Sequence, residues 1–273
     1  MNTTRIHLNQ FYNLKNDPIL EITTIKTWDD DSYREKKTII IVPGGAYNMN
    51  SLREGDPIAL PFLLNDYVTC KLTYSTKDHY STVKYPIPHL ELCAAMDYIN
   101  NNYKEYQIDI NKITMIGCSA GGHLVASYCY LYDELGKLLN ILDTKHLKPK
   151  AIILSYPVIT LLNDTHQDTK NNITEGSIKL INKLSIQNHI DNDYPPTFIW
   201  STETDDCVPI INTKLMNEAL NKANVNHETI IFPHGHHGLS IDTELVNDKK
   251  DCFDDVQTWV KSSINFLDKI LEK

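Results

Sequence analysis

Gly117-Cys118-Ser119-Ala120-Gly121 decides how this 273-residue chain is read. The run before it, Ile113-Thr114-Met115-Ile116, is apolar and β-branched, as a buried strand should be. The run after it, His123 to Cys129, reads as a helix. A serine on a tight strand-to-helix turn is held at the carboxyl edge of a sheet, where the free N–H groups of the helix amino terminus point. That is how a weak alcohol nucleophile is presented to a carbonyl. A G-x-S-x-G pattern also occurs in ordinary glycine-rich turns, so the rest of the chain has to supply a base, an orienting acid and an oxyanion hole.

Working outward, strand and helix patterns alternate from about Lys37 onward. Thr38–Val42, Val68–Leu72, Ala151–Ser155, Thr197–Trp200 and His227–Phe232 read as strands. Asp56–Leu64, Pro88–Tyr103, Ile210–Lys222 and Val256–Leu271 read as helices. This alternation predicts an α/β fold, a mostly parallel sheet with helices on both faces. Arg5–Phe11 and Ile19–Ile25 alternate differently and predict an antiparallel edge hairpin. An exposed sheet edge there could pair two copies into a homodimer. Thr160–Tyr194 lacks a strand pattern, with a short helix predicted at Ser177–Leu184. Its place after a core strand predicts a lid-like insertion at about 160–194 in one domain spanning 1–273.

A net charge of −9 argues against nucleic acid as a partner. The amino terminus shows no long apolar leader, and no stretch approaches bilayer-spanning length. The six cysteines form no C-x-x-C pair, and Cys70, Cys93, Cys118 and Cys129 fall in predicted elements, as buried thiols do. A soluble, cytoplasmic protein with no membrane partner is the expectation.

If Ser119 is a nucleophile in this fold, its partners follow in the order acid, then histidine. Thr202-Glu203-Thr204-Asp205-Asp206-Cys207-Val208-Pro209 follows the Thr197–Trp200 strand. The recurrent acid four residues before proline selects Asp205; Asp206 is the alternative, with helix capping near Ile210 as its structural role. After the last strand comes His234-Gly235-His236-His237-Gly238-Leu239. A histidine before glycine and an apolar residue selects His237 over His234 and His236. The cluster lacks the i,i+4 spacing and glutamate of a zinc helix, so no metal and no cofactor are expected. Gly45 and Ala46, in the loop after Thr38–Val42, and Ala120 are the candidate oxyanion donors. Tyr47 and Tyr156, with Tyr74 and Trp200, are candidates to line a substrate pocket.

Pro43-Gly44-Gly45-Ala46-Tyr47, Arg53-Glu54-Gly55-Asp56-Pro57, Gly117–Leu124, Pro195–Trp200, Asp205–Pro209 and His237-Gly238-Leu239 together resemble the bacterial acetyl-esterase branch of the α/β hydrolases. That branch is related to acetyl xylan esterases and feruloyl-esterase-like domains. The resemblance covers most of the chain after the hairpin. It implies Ser119 as nucleophile, His237 as base, Asp205 as orienting acid, and hydrolysis of short acyl esters, including acetyl groups on small sugars. Two departures stand out: Pro43 replaces the histidine of the lipase-type oxyanion loop, and Ala46 replaces a common third glycine, which would narrow the acyl pocket. Arg53 and Glu54 are expected to form a structural salt bridge near that loop. A serine peptidase or amidase on the same fold, and a non-catalytic binding module, are the competing readings.

Overall fold

A computed structural model of the protein describes residues 1–25 and 34–272. Eight strands form one sheet: β1 Asn2–His7, β2 Ile19–Thr24, β3 Lys36–Val42, β4 Val68–Thr73, β5 Ile108–Cys118, β6 Ile152–Ser155, β7 Thr197–Thr202 and β8 His227–Phe232. Their order is β1-β2-β4-β3-β5-β6-β7-β8. From β4 to β8 all neighbours are parallel, whereas β2 runs antiparallel to β4 and to β1. The predicted alternation and the antiparallel edge are therefore both present.

The helices are α1 Asp56–Leu64, α2 Ile87–Asn101, α3 Tyr103–Tyr106, α4 Ala120–Leu138, α5 Gln167–Thr174, α6 Ile178–Lys183, α7 Ile211–Lys222 and α8 Asp254–Leu271. Strand side chains alternate between two apolar layers, as a period of two requires. Ile40 and Val42 of β3 and Met115 of β5 face the layer holding Leu92 of α2, Val125 of α4 and Met216 of α7. Ile39, Ile41 and Ile116 face the layer holding Phe62 of α1 and Trp259 and Leu267 of α8. Burial on both faces is why the central strands are continuous Ile/Val runs.

The structure departs from the sequence reading at several boundaries and in one element. The first strand stops at His7, because Leu8 turns inward, fully buried, and bonds the Pro18 carbonyl through its N–H. The long helix predicted to Tyr103 breaks at Asn102, whose side-chain amide donates to the Tyr98 carbonyl. The 160–194 segment contains α5, which its polar composition hid. His166 caps α5 by accepting the Thr169 N–H, and Ser177 caps α6 by accepting from Leu180. This segment is tied to the body: Ile173, Leu184 and Ile186 are fully buried, and the Tyr130 hydroxyl donates to the Lys183 carbonyl. Among the described residues, no helix is long and apolar enough to cross a membrane.

Candidate active site

Ser119 sits between β5 and α4 with φ 52° and ψ −117°, a positive-φ conformation that costs a non-glycine residue about 1–3 kcal/mol. The surroundings hold it there. Its N–H donates to Ser155 O at 2.9 Å, and its carbonyl accepts from His123 N and Val158 N. The flanking glycines are required by close backbone approach. A Cβ on Gly117 would fall 2.3 Å from the Gly121 carbonyl oxygen, and one on Gly121 would fall 2.2 Å from that of Val42. Register does the rest: Val42 of β3 lies opposite Gly117 of β5, so the loop after β3 emerges beside the serine.

The histidine loop after β8 has further to come. β8 is three strands from β5, about 14 Å at the usual spacing. The segment from Pro233 to Gly238 carries His237 across that gap, turning at Gly235 (φ 133°) and at Gly238 (φ 74°). Of the three histidines, His237 reaches the serine, with Nε2 2.8 Å from Ser119 Oγ. His236 turns its Nδ1 to the His237 carbonyl, and His234 lies against Phe253.

Asp205 and Asp206 divide two tasks. Asp205 Oδ2 is 2.7 Å from His237 Nδ1, and its other oxygen accepts from the backbone N–H groups of Cys207 and Val208. Its side chain is only 2% exposed. A carboxylate can only accept here, so Nδ1 carries the proton and Nε2 is left as acceptor for the Ser119 hydroxyl. Asp206 does not cap α7, whose N-cap Ile210 has no side-chain bond. It accepts the His237 backbone N–H at 3.1 Å, and that bond, the largest influence on it, lowers its pKa.

The loop after β3 is pinned from several sides. The Tyr74 hydroxyl donates to Pro43 O, the Gly44 N–H donates to Glu54, and Asn172 of α5 donates to Ala46 O at 2.8 Å. Gly45 has φ 119°, while Ala46 and Tyr47 both have φ 58°. Among the described residues, the N–H groups of Gly45, Ala46 and Ala120 donate to no protein acceptor. Two of these spare donors lie in the loop after β3 and the third at the start of α4, next in sequence to Ser119.

The tyrosines expected on a pocket wall lie behind it. Tyr47 is fully buried and donates to His123 Nδ1 at 2.8 Å; His123 Nε2–H in turn donates to the Leu184 carbonyl. Burial pushes His123 down to about 4, so this neutral tautomer holds at ordinary pH. Tyr156 is 3% exposed, with its hydroxyl committed to Glu54 and its ring edge-on to His237. Tyr74 and Trp200 are buried too, the latter stacked on Trp259. These residues brace the site because their polar ends find partners in the interior. The expected Arg53–Glu54 salt bridge is absent: Arg53 turns out to Asn247, and Glu54 turns in beneath the Gly44 loop. Adjacent residues on a turn point apart, which the sequence does not display.

A family model described as BD-FAE matches residues 28–220, more than half of the chain. The chain belongs to the BD-FAE family. This BD-FAE protein is 30% identical over 215 residues, 78% of its length, to endo-1,4-beta-xylanase B of Butyrivibrio fibrisolvens. It is 25% identical over 240 residues, 83% of its length, to an acetylxylan esterase of Xylanibacter ruminicola. The matches cover 34% and 45% of those two relatives, so the chain spans less than half the length of either. An acetyl ester-xyloside bifunctional hydrolase from Caldicellulosiruptor lactoaceticus superposes with a TM-score of 0.83 at 29% identity, covering 98% of this chain and 96% of the other. The fold of this BD-FAE member is the α/β-hydrolase fold.

Proposed function

We propose that the protein is a serine carboxylic-ester hydrolase acting on short acyl esters, with acetyl groups on small sugars as the substrate class. The observation that carries this reading is the continuous array Ser119 Oγ–His237 Nε2 (2.8 Å) and His237 Nδ1–Asp205 Oδ2 (2.7 Å). Names of relatives support the acetyl-sugar choice: one is an acetylxylan esterase and another an acetyl ester-xyloside hydrolase.

In this scheme His237 takes the Ser119 proton as the oxygen attacks the ester carbonyl. The Gly45, Ala46 and Ala120 N–H groups receive the developing oxyanion, each such donor contributing about 3 kcal/mol. Asp205 holds the imidazole tautomer and stabilises the imidazolium. His237 then protonates the leaving alcohol, and water releases the acyl group by the same route. In this reading the 160–194 segment is a lid-like insertion over the site, a role supported by the hydrogen bond from Asn172 of α5 to the Ala46 carbonyl.

The test is a substrate panel with wild type and Ser119→Ala. It contains p-nitrophenyl esters of increasing acyl length, acetylated xylo-oligosaccharides and aminoacyl amides. Acetyl esters should turn over fastest and Ser119→Ala should lose at least about 10⁴-fold in kcat. Activity retained in Ser119→Ala, or confined to amides, overturns the reading.

A further inference from the structure

Glu54 is a buried carboxylate that the scheme above does not use, 3% exposed between the two loops that must meet at the serine. Its Oε2 accepts the Gly44 N–H at 2.8 Å, and its Oε1 accepts the Tyr156 hydroxyl at 2.8 Å. The Tyr156 oxygen in turn accepts the Ser240 N–H at 3.1 Å. Ser240 also donates its hydroxyl to the Arg53 carbonyl, closing the structure back onto the residue beside Glu54. The fit is tight at Gly44 and an ordinary van der Waals contact at Gly238. A Cβ on Gly44 would lie 2.7 Å from Glu54 Oε2 and 2.9 Å from the Ser119 Cβ, while one on Gly238 would lie 4.0 Å from Glu54 Oε1. The Tyr156 ring stands edge-on to the His237 ring, with centroids 5.1 Å apart.

Resting on the serine-hydrolase reading, we propose that Glu54 and Tyr156 are positioning residues that set the distance between the oxyanion loop and the base loop. The two loops leave β3 and β8, which are four strand positions apart, about 19 Å. No ladder hydrogen bond connects those strands, so their separation at the serine has to be set by side chains. A carboxylate suits this place because both of its partners are donors, an N–H and an O–H. Among the described residues, no cation lies within ion-pair distance of Glu54. Its burial is therefore balanced by these hydrogen bonds. An amide in its place sets an N–H against one of the two donors.

The experiment compares Glu54→Gln, Tyr156→Phe and the double variant with wild type on p-nitrophenyl acetate, with active sites titrated by a fluorophosphonate. Each single variant should lose about 10- to 100-fold in kcat per titrated site, because a small misplacement of reacting groups is that costly. KM should stay within about threefold, and the double variant should be no slower than the slower single one. The downfield NMR resonance of the His237 Nδ1 proton should shift or broaden in both singles. A merely structural role lowers the titratable fraction and leaves the rate per titrated site unchanged. Tyr156→Phe removes one atom and serves as the test should Glu54→Gln fold poorly. Rates per site within about twofold of wild type in a protein whose activity still requires Ser119 overturn the positioning role alone. Activity that survives Ser119→Ala overturns the serine-hydrolase reading instead.

Discussion

His237 is held by two consecutive aspartates at two different points: Asp205 at the ring Nδ1, 2.7 Å away, and Asp206 at the backbone N–H, 3.1 Å away. Asp205 decides the tautomer, whereas Asp206 steadies the loop. Asp205→Asn should therefore lower kcat on acetyl esters by about 10³- to 10⁴-fold, since an amide no longer enforces a protonated Nδ1. Asp206→Asn keeps an acceptor for the N–H and should cost less than about tenfold. Steady-state rates per titrated site check both. Equal losses would place the orienting role on the pair and not on Asp205.

The elbow carrying Ser119 depends on glycine for space as well as for backbone freedom. Gly121→Ala would drive its Cβ to 2.2 Å from Val42 O and 2.4 Å from Pro43 O, both backbone atoms. We expect a loss of about 2–3 kcal/mol, read as a lower denaturant midpoint. Gly176→Ala is the contrast. Nothing lies within 4 Å of its Cβ position, so only the positive φ of 77° is penalised, by about 1 kcal/mol. A Gly176 variant as unstable as the Gly121 variant would refute the space argument.

Asn172 carries a contact between α5 and the loop after β3, donating to Ala46 O at 2.8 Å. Asn172→Ala removes one partly buried hydrogen bond, worth about 1 kcal/mol of stability. Loosening of the loop should show more strongly in the reaction, as a fall in kcat of about 3- to 30-fold with KM little changed. Thermal unfolding and steady-state kinetics on the same preparation separate the two effects. An unchanged kcat would mean that Glu54 and Tyr74 suffice to hold the loop.

Glu91 makes folding depend on pH. Burial raises its pKa from the ordinary 4.5 to about 7, against opposing hydrogen bonds from Ser75. A carboxyl group raised on folding binds its proton more tightly in the folded state. Its contribution is thus fully present below about pH 4.5 and is lost as pH rises through about 7. Glu91→Gln removes this dependence, so the variant should gain on wild type by up to about 3 kcal/mol between pH 4.5 and 8. Urea unfolding at several pH values measures it. Buried His123, lowered to about 4, runs the other way: its contribution is present above about 6.5 and is lost as pH falls through about 4. For that reason the comparison is made between variants and not on wild type alone. Parallel stability curves for wild type and Glu91→Gln would refute the assignment.

The alternation of β-branched runs with helical spacing was enough to read an α/β fold with an antiparallel edge, because a strand covered on both faces must be apolar throughout. G-x-S-x-G between such a run and a helix singled out Ser119, and chain order pointed to the loops after β7 and β8. Within those loops local patterns could only rank neighbours, Asp205 against Asp206 and His237 against His234 and His236. Tertiary structure decided which of them meet. Whether a side chain reaches Ser119 depends on how each loop crosses two or three strands, and that path is set by glycine torsions and loop packing far along the chain. The same limit explains the tyrosines and Glu54. Composition gives no hint that Tyr47 and Tyr156 face inward, or that a glutamate beside an arginine abandons it for the Gly44 N–H and the Tyr156 hydroxyl. Those choices follow from satisfying buried polar groups, and the partners come from residues that only the fold brings together.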